Sequence, residues 1–264
     1  MVERGINRRR AIHALAALPA VAAFPSLARS AVSQPGAEGN SLKLFEIIVR
    51  KAGLSRDDFR RSWIAAHGMS ALKQADGQGL VLSEAFGAGS EAAPAASYGY
   101  PIDGFVQSWL GSESDASALA SDRDGPLIDR AASRAYLLRE EVVVPAPRAE
   151  GIVKRTLLLA RRPDLTHQQF LDHWLTRHAE LAASVPGLIG AVFNPVLRDM
   201  DAGNSPWREI DGVTETWWDT GGGDIGGKVS SPQADKWMGD ADNFLDLPRC
   251  RTINSIEHVL IAPR

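Results

Sequence analysis

Leu54-Ser55-Arg56-Asp57-Asp58-Phe59-Arg60-Arg61-Ser62-Trp63-Ile64-Ala65-Ala66-His67 returns later in the chain as Leu165-Thr166-His167-Gln168-Gln169-Phe170-Leu171-Asp172-His173-Trp174-Leu175-Thr176-Arg177-His178. Leu, a hydroxyl residue, Phe, Trp and His recur at the same spacing, with an offset of 111 from Leu54 to Leu165. Solenoid repeats have periods of roughly 20–50 residues. Repetition at this distance therefore means two copies of one domain.

The repetition runs outward from that phrase. Lys43 to Val49 matches Lys154 to Ala160, Gly79-Leu80 matches Gly187-Leu188, and Ile102-Asp103-Gly104 matches Ile210-Asp211-Gly212. Trp109 matches Trp217, Arg134 matches Arg251, and Glu140 matches Glu257. The offset changes only at Gly- and Ser-rich stretches such as Gly221 to Gly227. Loops tolerate insertions and packed elements do not.

Each copy starts with an apolar, partly alternating run, 42–49 and 152–160, which predicts a strand. The Trp-His phrase predicts a helix with Ser55 and Thr166 as N-caps. Asp58 and Gln169 three residues on make or approximate a capping box, and Leu54 and Leu165 staple onto Phe59 and Phe170. Phe170, Trp174 and His178 fall at i, i+4 and i+8, on one face of an α-helix, as do Phe59, Trp63 and His67. Strands are expected at 79–86 and 105–110, with a helix at 126–132 and a closing strand at 136–144. The second copy repeats this at 187–196, 213–218, 232–238 and 253–261. The order β-α-β-β-α-β is that of a ferredoxin-like unit. Its sheet has one face without helices, and two copies can cover that face for each other.

The chain has 264 residues, room for two domains of roughly 100 residues after a leader. With 29 basic and 32 acidic residues and a net charge of −3, it lacks the basic face that phosphate backbones need, so nucleic acid is not an expected partner. Residues 1–31 read as a signal peptide: Arg4, Arg8, Arg9 and Arg10, then an apolar stretch from Ala11 to Phe24, then Ser26-Leu27-Ala28. The apolar stretch is too short for a membrane span. Asn7-Arg8-Arg9-Arg10-Ala11-Ile12 resembles a twin-arginine motif, with Asn7 and Ala11 at places where Ser or Thr and Phe are usual. Periplasmic or secreted localisation is expected, with a linker at 32–41, a first repeat at 42–145 and a second at 151–264. Cys250 is the single cysteine, so no internal disulfide can hold the fold.

Both repeats resemble the EthD family of the dimeric α/β-barrel superfamily. The second carries the resemblance best, through Lys154, the Leu165-to-His178 phrase with Ala179, Pro186-Gly187-Leu188, Asp211-Gly212 before Glu215-x-Trp217, Asp242-Asn243-Phe244-Leu245-Asp246, and Glu257-His258. The first reads Asp124-Gly125-Pro126-Leu127-Ile128-Asp129 at the Asn-Phe element and has Glu141 in place of His258. The resemblance implies an α+β fold, two tandem repeats packed as an intrachain α/β-barrel, so that the chain is a monomeric pseudo-dimer or a higher oligomer of such units. It also implies a small hydrophobic or aromatic molecule as partner. The related barrels include isomerases, cofactor-free monooxygenases and haem-binding peroxidases, and fold alone does not choose among these.

His178 and His67 are the histidines that recur in register, and imidazoles titrate near working pH, so both are candidate acid–base groups. Trp174, Asn194, Trp217, Asn243, Phe244 and His258 are candidate substrate contacts in a barrel cavity. The chemistry expected is proton transfer or cofactor-free oxidation, in an oxidoreductase, isomerase or dehydratase; the alternative is a non-catalytic small-molecule binder. No metal site is expected, since His173 and His178, five apart, fall on different faces of an α-helix and no Cys cluster exists. No cofactor is specified: Gly221 to Gly227 lacks the Lys-Ser/Thr of a phosphate loop, and no histidine stands out as a haem ligand.

Overall fold

A computed structural model describes residues 41–74, 78–87, 101–121, 125–147, 152–201, 209–219 and 231–263. The leader, nearly all of the linker and Gly221 to Gly227 lie outside the described residues. In chain order the first half contains β1 (Ser41–Ile48), α1 (Arg56–Gln74), β2 (Leu80–Phe86), β3 (Gly104–Leu110), α2 (Glu113–Ser121) and β4 (Arg134–Val144). The second contains β5 (Val153–Leu159), α3 (His167–His173), a π-helical turn (Trp174–His178), α4 (Ala179–Ala183), β6 (Leu188–Asp199), β7 (Gly212–Trp218), α5 (Pro232–Asp240) and β8 (Arg251–Ile261).

The strands form a closed antiparallel barrel in the order β1-β3-β2-β8-β5-β7-β6-β4. This is an α+β fold whose barrel closes within one chain. The seams between the halves are β2 on β8 and β4 on β6, and both contain register shifts. Closure leaves no strand edge open to another chain, the usual liability of a four-stranded sheet.

Alternation along each strand sorts side chains between the barrel interior and the helix-covered outside. One apolar cluster draws on all eight strands, through Phe45 and Ile47, Ala85, Phe105, Tyr136 and Leu138, Leu158, Val196, Val213 and Ile253, so it fills the interior. Two residues along from these lie Lys43, Gln107, Glu140, Asn194 and Glu215, and four along from Leu158 lies Lys154; all share the same face. On the outside, α1 lays Phe59 and Trp63 over Ile48, Leu80, Leu82 and Val106. The outer layer of the second half is one aromatic cluster that includes Phe170, Trp174, Phe193, Trp218, Trp237 and Phe244.

The repeated residues make the same contacts in both halves. A Cβ on Gly104 would stand 2.6 Å from the Trp63 ring, and one on Gly212 would stand 2.6 Å from the Trp174 ring. Each repeated Trp therefore needs its repeated Gly. The backbone N–H of Arg50 donates to Asp103 at 2.8 Å, and that of Arg161 donates to Asp211 at 2.9 Å. Both arginine side chains pair with the same carboxylates. The Thr166 cap forms with its reciprocal Gln169 bond. In the first half the Ser55 hydroxyl instead donates to the Asp58 carboxylate while accepting from the Asp58 N–H.

One expected helix is misplaced. Residues 126–132 form turns and an isolated bridge between Arg50 and Ile128, and the second helix of this half is α2, earlier in the chain. Pro126 resembles the first residue of a helix. Among its described residues the actual helix buries Ala116 and Ala120 and packs a half-buried Leu119 against Leu44, Ala135 and Leu137, so its apolar stripe is weak.

Candidate functional site

The capped helix of the second half does not continue as α-helix. After α3 it widens into the π-helical turn Trp174–His178 before α4 resumes. Such turns bond i to i+5 and concentrate at functional sites. Its consequence corrects the expectation for His173 and His178. Five residues make nearly one turn of the wider helix, and both imidazoles reach one carboxylate. His173 Nε2 lies 3.1 and 3.0 Å from the two oxygens of Asp240, and His178 Nδ1 lies 3.0 Å from its Oδ2.

Asp240 ends α5 and is itself buried. Asn243 Nδ2 donates to it at 3.1 Å, and Arg177 Nε lies 3.4 Å away. Burial alone would raise the Asp240 pKa, but hydrogen bonds from His173, His178 and Asn243 outweigh this and hold it below the ordinary value. The carboxylate is ionised at neutral pH and accepts the Nδ1–H of His178.

His178 is 6% exposed. Its ring sits edge-on to Phe244 at 4.8 Å, with Trp237 at 5.4 Å and Phe193 at 5.9 Å. Burial pushes its pKa down to about 4, against the raising effect of the bond to Asp240 and its charge. The imidazole is thus neutral at pH 7. With Nδ1–H committed to Asp240, the Nε2 lone pair is the acceptor, and it makes no hydrogen bond to a described residue. Trp174 Nε1 and Trp237 Nε1 are buried donors with no acceptor among the described residues. Such a donor normally costs about 1–3 kcal/mol unless something accepts from it.

The sheet divides the expected site. His178, Trp174 and Phe244 come together in the layer between helices and sheet, and the exposed Asn243 reaches it only through its bond to Asp240; Trp174 stacks on Phe193 at 5.1 Å and Phe170 at 5.2 Å. Asn194 and Trp217 project from the opposite face into the barrel. There Trp217 Nε1 donates to Glu257 at 2.8 Å, and Asn194 Nδ2 donates to the Val213 carbonyl at 2.9 Å. His258 faces outward at the β2–β8 seam, 3.5 Å from Glu84. His67 lies on α1, and its side chain falls outside the described residues.

Sequence reasoning missed His173, Phe193, Trp237 and Asp240. The available signal was Trp237-x-x-Asp240-x-x-Asn243, a helical spacing that lines one side with an aromatic, an acid and an amide. Among the described residues no group of three or more His, Cys, Asp or Glu is arranged to hold a metal ion. No helix among them is long and apolar enough to cross a membrane.

Comparison with known proteins places an EthD domain at residues 162–248, which includes His173, His178, Asp240 and Asn243. No curated protein matches the sequence. Among solved structures, an anthrone oxidase-like protein superposes with a TM-score of 0.52 at 10% identity, covering 85% of this chain and 95% of that one. A candidate monooxygenase from Lactobacillus acidophilus NCFM gives 0.49 at 11% identity, covering 86% and 98%. At such identities the likeness is one of fold.

Proposed function

We propose that this chain, whose residues 162–248 form an EthD domain, binds a small apolar or aromatic molecule against the helix–sheet layer of its second half and acts on it with His178 as general acid or base. The observation that carries the reading is His178 itself. It is a neutral imidazole held at Nδ1 by Asp240, boxed by Phe193, Trp237 and Phe244, with Nε2 left as acceptor. An Asp that fixes the tautomer and stabilises the imidazolium is a recurrent way to make a histidine a base. A proton taken from an acidic C–H or O–H of the ligand goes to Nε2, and the ionised Asp240 compensates the charge formed. Proton transfer of this kind is common to isomerisation, dehydration and cofactor-free oxidation.

The aromatic walls and the two indole donors also suit a binder that sequesters a ligand with an acceptor oxygen. Mass spectrometry of material extracted from the purified protein, with its absorbance spectrum, identifies the ligand. Turnover of that ligand by the wild type and its loss in His178→Ala support the enzyme. Tight binding without turnover, weakened in Trp237→Phe, supports the binder.

Two further parts of the proposal concern the whole chain. We read its halves as tandem ferredoxin-like copies, supported by the recurring Trp–Gly and Arg–Asp contacts. We read residues 1–31 as an export signal, supported by the paired arginines and Ala-rich stretch. Replacing Arg8 and Arg9 by Lys should strand the precursor in the cytoplasm, and undiminished export would refute the twin-arginine route.

A further inference from the structure

We propose that His173 is a positioning residue for His178: the two imidazoles compete for one carboxylate, and His173 thereby sets how strongly His178 holds a proton. The inference rests on the reading of His178 as the acid–base group.

The observation behind it is a shared oxygen. His173 Nε2 and His178 Nδ1 each stand 3.0 Å from Oδ2 of Asp240, and His173 Nε2 also lies 3.1 Å from Oδ1. Phe244 packs against both rings, 5.1 Å from that of His173 and 4.8 Å from that of His178, so an apolar group flanks the pair. Access differs between the three side chains: His173 is 26% exposed, His178 8% and Asp240 4%. His173 therefore meets solvent protons, while His178 and the carboxylate are shielded. Among the described residues the other polar groups on this carboxylate are Arg177, on the π-helical turn, and the Asn243 amide. Against the His178 ring, β6 and α5 present Phe193 and Trp237. Arg177 is a constant cation whose side chain is 68% exposed and screened by solvent. His173 is the neighbouring cation that can come and go.

A neutral His173 donates its Nε2–H to the carboxylate and leaves the negative charge for His178. When His178 takes a proton at Nε2, the ligand keeps the electron pair and Asp240 compensates the new imidazolium. A proton added to His173 at Nδ1 makes a second imidazolium against the same anion. One carboxylate cannot fully compensate two cations. Bonded to one oxygen, the two charges lie within the roughly 6 Å over which like charges weaken each other's proton binding. The direction at His178 agrees: burial lowers its pKa most, the bond and charge of Asp240 raise it, and the charge of His173 lowers it. A residue that only tied α3 to α5 would do so equally well as an uncharged amide, with no effect on the titration of His178.

The test is an NMR titration of His178 in the full chain without ligand, in wild type, H173Q and H173K. In H173Q a neutral amide keeps a donor on Asp240, so His178 should keep its Nδ1–H tautomer and titrate about 1 pH unit higher than in wild type. H173K keeps a cation there and should show no such rise. An unmoved His178 in H173Q, or an equal rise in both variants, would overturn the competition while leaving His178 as the base. If neither variant folds, the wild type decides. Its His178 ¹⁵N signals should shift in step with the titration of His173, and signals that ignore it refute the proposal. Turnover of the extracted ligand checks the base separately. A His178→Ala protein that still turns it over removes the base and leaves the competition, read by NMR, in place.

Discussion

Nδ1 of His178 stands 3.0 Å from Oδ2 of Asp240, in a layer whose other walls are aromatic. That one bond joins the two helical elements of the second half and sets the tautomer of the imidazole, while burial keeps it neutral.

The first prediction is a pH dependence. The pKa of His178 is lowered from 6.5 to about 4, so the folded state binds fewer protons than the unfolded one between these values. Stability from this group is complete above pH 6.5 and is lost as pH falls toward 4, by up to about 3 kcal/mol. In His178→Gln the slope of melting temperature against pH over that window should flatten. An NMR titration that put His178 at its ordinary pKa would remove the basis of this expectation.

Asp240→Asn replaces the anion by an amide that no longer favours the Nδ1–H tautomer. If His178 is the base, turnover of the identified ligand should fall by about 10²–10⁴-fold, as it should in His178→Ala. The ¹⁵N shifts of His178 should show the change of tautomer directly. Unchanged shifts and unchanged turnover would leave Asp240 a structural group only.

Gly212→Ala places a methyl 2.6 Å from the Trp174 ring, and Gly104→Ala does the same beneath Trp63. Each should cost about 1–3 kcal/mol by overpacking. Combining Gly212→Ala with Trp174→Leu should cost less than the sum of the two single losses, because the obstacle is gone. Additive losses in urea denaturation would mean the two residues do not constrain each other.

Lys154→Met leaves Glu215 and Glu257 without their shared cation in a fully buried layer. Burial alone would lower the lysine pKa, but the two carboxylates raise it above the ordinary value, so the lysine is charged. Removing it should cost about 3–5 kcal/mol. A loss under 1 kcal/mol would show that the carboxylates had found other compensation.

By itself the sequence determined the cap at Thr166, the strands and the α+β class. These rest on short-range spacing, which a chain displays wherever it folds: period-two runs, N-cap chemistry, and a Trp and Gly recurring together. It also pointed to the second half, through His178 and Asn243. The tertiary structure alone decided which of the candidate residues come together. Asn194 and Phe193 are adjacent in sequence yet face opposite sides of the sheet, so a list of candidates cannot say which of them meets His178. The π-helical turn changes residue phase by local bonding that carries no compositional mark, and only that turn brings His173 and His178 to one carboxylate. Gln107 and Glu215 are 0% exposed and 2.7 Å apart because the barrel closes, a contact between distant strands that no local pattern encodes.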